Sequence, residues 1–139
     1  MRFIRCGWLV FTVVCMGIVA PLGVGAHDIP SKIPKAARER KNPLEHQEAV
    51  IRNGEAVYDN LCLSCHGPNG KGDGPAAAAL QHRPPDLIRM MRDQTDGELF
   101  WKITRGGGAM PSYEKTLTEG ERWEVIHALR MLGERKGGR

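Results

Sequence analysis

Aromatic side chains are scarce in this chain of 139 residues. Phe, Trp and Tyr make up 6%, and beyond Ala26 only Tyr58, Phe100, Trp101, Tyr113 and Trp123 are left. So few large rings make a thin core, which excludes a roomy cavity built from side chains alone. The middle is left for something else to fill. Period-two alternation is also missing, and with it any βαβ frame. Charge of one sign is not in large excess. Residues 1–26 hold two of the 20 Lys and Arg and none of the 16 Asp and Glu, so a net charge of +4 falls to +2 beyond them. That excludes the concentrated basic face expected of a nucleic-acid binder. The length leaves room for one ordinary domain.

No charged side chain occurs from Cys6 to Ala26. A short basic start (Arg2, Arg5) precedes an apolar run to Ala20, Pro21 breaks it, and Val24-Gly25-Ala26 offers small residues for cleavage. This order reads as a secretory signal peptide over 1–26, cut after Ala26. The rival reading is an uncleaved anchor, since about 20 apolar residues can span a bilayer. Either way the domain is expected outside the cytoplasm, in the periplasm or tethered to the inner membrane through 6–26. Residues 27–44 follow as a basic arm (Lys32, Lys35, Arg38, Arg40, Lys41) punctuated by Pro30, Pro34 and Pro43. It reads as a flexible spacer, or else as a dock for an acidic partner. The domain proper is expected over 45–139.

Cysteine is sparse as well. Cys6 and Cys15 lie in the leader, so only Cys62 and Cys65 remain, in the run Cys62-Leu63-Ser64-Cys65-His66. Three chemistries compete. A thiol-redox pair needs a strand before it and a βαβ frame. A zinc site needs four ligands, and no second Cys or His pair exists. Covalent haem attachment uses this C-x-x-C-H spacing. Two thiols one helical turn apart can add to vinyl groups on one edge of a porphyrin, and the adjacent His66 can then offer a nitrogen to iron.

Val50, Gly54, Val57, Tyr58 and Leu61 recur with helical spacing and predict a helix from about Glu45 into Cys62. Gly54 on its apolar face costs about 1 kcal/mol against Ala, which suggests that another helix crosses closely there. Thr95 with Glu98, and Thr118 with Glu121, are capping-box pairs. They open a middle helix stopping at Gly106 and a terminal helix with its apolar stripe (Trp123, Val125, Ile126, Leu129, Leu132) up to Gly133. The 28 residues from Gly67 to Gln94 show little periodicity. A loop that long argues against a compact fold unless it wraps a flat cofactor.

The Cys62–His66 motif, the run Gly67-Pro68-Asn69-Gly70-Lys71-Gly72-Asp73-Gly74-Pro75 and the later Gly106-Gly107-Gly108-Ala109-Met110-Pro111 together resemble a bacterial class I cytochrome c, from about Glu45 to Gly133. The resemblance implies an all-α fold, three to four helices wrapped around one covalently bound haem c. It implies Met110 as second iron ligand opposite His66, and thioether sulfur suits that role. Met90, Met91 and Met131 are the rivals, each more simply core filler. It also implies that Pro75, in the Gly74-Pro75 pair, offers its carbonyl to the other nitrogen of His66. Trp101, Tyr113 and Arg83 are expected near the haem edge or propionates, or else as core (Trp101) and half-exposed surface (Tyr113, Arg83). His46, His82 and His127 are expected to face solvent. The function implied is one-electron transfer without catalysis, by a free carrier or a small subunit of a respiratory or dehydrogenase complex. Its partners would be a dehydrogenase, an oxidase or a membrane cytochrome complex. The alternative is a haem enzyme or gas sensor whose Met110 is displaceable.

Overall fold

The structure is a computed structural model, and it describes residues 32–137. The leader expected over 1–26 lies outside the described residues. Within them the architecture is all-α, as expected. Its helices are α1 (Lys35–Arg38), α2 (Glu48–Leu61), α3 (Leu63–His66), α4 (Leu87–Asp93), α5 (Asp96–Arg105) and α6 (Glu119–Gly137). A 3-10 turn spans Ala77–Ala79. No described helix is long and apolar enough to cross a membrane.

Helices α2 and α6 cross over each other, and Gly54 is where they touch. A Cβ at Gly54 would run into the carbonyl of Glu124 and come within 2.9 Å of the Val125 nitrogen. Only hydrogen fits, so the cost of glycine in a helix is offset by close backbone approach. Helix α6 buries Trp123, Val125, Ile126, Ala128 and Leu129, more than a single stripe, because α4 and α5 pack on it as well as α2. Phe100 of α5 stacks on Trp123, with centroids 4.1 Å apart and an interplanar angle of 21°. Both expected capping boxes are formed. Glu98 N donates to Thr95 Oγ1 and Thr95 N to Glu98 Oε2; Glu121 N donates to Thr118 Oγ1 and Thr118 N to Glu121 Oε2.

Four expectations need correction. First, α6 runs past the end of its expected apolar stripe at Gly133 to Gly137, because Gly133 keeps helical backbone instead of the positive φ of a glycine stop. Second, the stretch Gly67–Gln94 is not one irregular loop. Asp86 accepts a hydrogen bond from Arg89 N and opens α4, whose Leu87, Ile88 and Met91 are buried.

Third, residues 32–44 are not a flexible spacer. Thr95 Oγ1 donates to the Arg38 carbonyl (2.8 Å), and Asn42 Nδ2 donates to the Trp123 carbonyl (3.1 Å). The Arg40 guanidinium lies 4.4 Å from the Phe100 ring centroid and bonds Glu119. Of the arm's charges, Arg40 is spent on a ring face and a helix end and Arg38 pairs with Glu98 at the start of α5, while Lys32, Lys35 and Lys41 stay exposed. Fourth, His127 does not face solvent: it is half-buried and its Nε2 lies 3.0 Å from the Leu44 carbonyl. His46 and His82 are exposed, as expected.

Candidate haem-attachment site

Helix α2 feeds directly into the Cys62–His66 turn. Cys62 N donates to the Tyr58 carbonyl and His66 N to the Cys62 carbonyl, each at 2.8 Å, so both cysteines and the histidine sit on a single helical turn. The turn then has carbonyls to satisfy, and the glycine-rich loop satisfies them. Gly67 N donates to Leu63, Ala76 N to Ser64, Gly74 N to Cys65 and Gly72 N to His66, at 2.8–3.2 Å. Such dense pairing needs close backbone contact. A Cβ at Gly74 would overlap the Leu63 and Ser64 carbonyl region. Tyr58, buried in α2, closes the arrangement by donating from its hydroxyl to the Gly67 carbonyl at 2.6 Å.

Both thiols are free and half-buried. Burial, reinforced by the neighbouring Cys65, pushes the Cys62 thiol up to about 12. A thiol that stays protonated is a poor nucleophile for disulfide exchange, which weighs against the thiol-redox chemistry. Burial also holds His66 below the usual histidine range, so its imidazole is neutral and keeps a lone pair for a metal. Its Nδ1 is buried without a hydrogen-bond partner; no bond joins it to the Pro75 carbonyl. No described cluster of three or more His, Cys, Asp or Glu residues could hold a metal ion. Zinc therefore has no ligand set among the described residues.

Met110 sits half-buried in a turn closed by two backbone bonds, Gly107 N to the Met110 carbonyl (2.8 Å) and Met110 N to the Gly107 carbonyl (3.0 Å). The rival methionines are placed otherwise. Met91 is core, 7% exposed, Met90 packs against that core from α4, and Met131 lies within α6. Trp101 is half-buried and Arg83 exposed. Tyr113 is buried rather than half-exposed. Its hydroxyl donates to the Leu61 carbonyl at 3.0 Å, and burial beside Cys62 and Cys65 raises its pKa. This bond brings the segment after Met110 to the residue before Cys62. Arg122 escaped notice in the sequence. It is buried over the Phe100 ring, with Nη1 on Thr104 Oγ1 at 2.8 Å. An arginine on the apolar side of a helix, four places from a threonine cap, was the one trace it left.

The donor set fits haem c. Two free thiols share a turn, a neutral imidazole follows, and Leu63 within that turn is packed on the core yet only partly covered. An all-helical fold with such a turn defines a c-type cytochrome. The family described as cytochrome c oxidase, cbb3-type, subunit III matches residues 49–127, over half of the chain. The chain belongs to this family of class I c-type cytochrome domains and carries covalently bound haem c. Among solved structures it is similar to a chain of the reducing HAO-like protein complex of Kuenenia stuttgartiensis, at 31% identity with a TM-score of 0.58. That match covers 65% of this chain and 46% of the other, so the chain spans under half of its neighbour's length. No curated protein matches it.

Proposed function

We propose that this chain is an exported one-electron carrier of the periplasm, with its haem c held by Cys62 and Cys65 and its iron ligated by His66 and Met110. When bound, haem c supplies a reversible one-electron exchange between ferric and ferrous states. The chain's own residues do the rest. The capped Cys62–His66 turn fixes the imidazole, and Met110 supplies a soft sulfur that favours the ferrous state. With His66 and Met110 both holding the iron, no position would be open to substrate, and the protein would act as a carrier without catalysis. The Pro75 carbonyl, once the pocket is filled, orients His66 through Nδ1, the one buried nitrogen there without a partner. Export rests on residues 1–26, cleaved after Ala26 or retained as an inner-membrane anchor. Its partners are redox proteins, met as a free carrier or as a subunit of a larger assembly. The likeness to one chain of a multi-protein redox complex supports the second arrangement.

The observation that carries this reading is the setting of Met110, a lone methionine in a closed glycine turn while Met91 fills the core. The test is spectroscopic. The oxidised protein should show the weak far-red band of sulfur-bound ferric iron, and the reduced protein should be indifferent to carbon monoxide. Rapid carbon monoxide binding by the parent would instead establish a haem enzyme or gas sensor.

A further inference from the structure

Helix α2 ends at Leu61, and the turn that follows tightens: Cys65 N donates to the Cys62 carbonyl at 3.2 Å. A continuing helix would have sent that N–H to Leu61. The Leu61 carbonyl, one residue before the first haem cysteine, is thus left for a side chain to satisfy. The side chain that does so comes from the Met110 segment: Tyr113 Oη donates to it at 3.0 Å, from a ring only 8% exposed.

The rest of that segment is held elsewhere. Ser112 Oγ donates to the Thr104 carbonyl (2.7 Å) and Tyr113 N to the Ile103 carbonyl (3.2 Å), both on α5. Gly107 and Met110 close the turn on themselves. Two bonds therefore fasten the Met110 segment to α5, and the Tyr113 hydroxyl fastens it to the attachment turn. We infer that Tyr113 is a positioning residue whose hydroxyl, bonded to the Leu61 carbonyl, latches the Met110 turn to the haem-attachment turn and sets how readily the sixth iron position opens. This rests on ligation by His66 and Met110. The latch is a buried neutral hydrogen bond, so its loss shifts the balance between closed and open turn by roughly two- to tenfold.

The experiment compares holo Tyr113→Phe, holo Asn42→Ala and the parent. Asn42→Ala loses a bond of the same kind, from Asn42 Nδ2 to the Trp123 carbonyl, away from the attachment turn. The far-red band of the oxidised parent first establishes sulfur ligation. Imidazole binding to oxidised protein then reads opening of the sixth position. Tyr113→Phe should keep the band and bind imidazole roughly two- to tenfold faster, while Asn42→Ala lowers the melting midpoint and binds at the parental rate. Parental imidazole kinetics in Tyr113→Phe would make Tyr113 mere core packing and overturn the inference. Should Tyr113→Phe yield no holoprotein, proton NMR of the parent decides. A Tyr113 hydroxyl proton protected from exchange upholds the latch, and one exchanging at the solvent rate overturns it. A parent without the far-red band would overturn the His66/Met110 reading itself, and this inference with it.

Discussion

A thioether and a water molecule differ in one respect that matters at haem iron: sulfur stabilises the ferrous state better. Met110→Ala should therefore keep covalent haem, since Cys62 and Cys65 still anchor it, yet lose the far-red band and bind carbon monoxide when reduced. Its reduction potential should fall, as a redox titration would show. Met90→Ala, Met91→Ala and Met131→Ala should keep the parental spectrum, and a far-red band surviving in Met110→Ala would reassign the ligand. At this scale the haem-attachment chemistry was legible because it lies in one contiguous run, Cys62-Leu63-Ser64-Cys65-His66. Residues whose roles depend on distant backbone were not legible. Tyr113 looked like surface because its partner, the Leu61 carbonyl, lies 52 positions away and has no side-chain signature. His127 looked solvent-facing for the same reason, with its partner at Leu44.

Helices announce themselves through periodicity and caps, and α2, α5 and α6 did so because each is long enough to repeat. Helix α4 has seven residues, barely two turns, so Leu87, Ile88 and Met91 never establish a period. The crossing at Gly54 offers a test by sign. On an exposed helical face Gly→Ala stabilises by about 1 kcal/mol. Here the new methyl group meets the Glu124 backbone, so Gly54→Ala should destabilise by about 1–3 kcal/mol in thermal or denaturant melts. A stabilised variant would mean that α2 and α6 do not touch there. The strap over 32–44 went unread because lysines, arginines and prolines suggest solvation unless ring faces are known to await them. Arg40→Ala removes a guanidinium from above Phe100 and should cost about 0.5–1 kcal/mol. Arg52→Ala, which breaks only an exposed i,i+4 pair with Glu48, should change the midpoint far less. Equal effects of the two would return the strap to the status of a spacer.

At the scale of the whole molecule, the scarcity of aromatics becomes a statement about stability. Beyond Tyr58, Leu99, Phe100, Trp123, Ile126 and a few aliphatic neighbours there is little to bury, and these cluster where α2, α4, α5 and α6 meet. The glycine-rich loop and the Met110 turn have well-paired backbones but carry few large side chains. A small domain recovers little from its own surface on folding, and the cost of ordering each backbone residue, about 1–2 kcal/mol, runs against it. The cofactor supplies the missing apolar mass, and its two thioether links keep it in the unfolded chain ready to nucleate. Replacing Cys62 and Cys65 together by Ala should therefore do more than abolish covalent haem. The double variant should show weakened helical circular dichroism, no cooperative melting transition, and rapid proteolysis within 67–86 and 106–118. Free haem added in excess should restore structure only in part, since the proposed ligands His66 and Met110 would then have to capture it without the links. A double variant that stays compact, cooperative and protease-resistant without haem would show that the protein core is sufficient alone, and that the loops fold on their own hydrogen bonds.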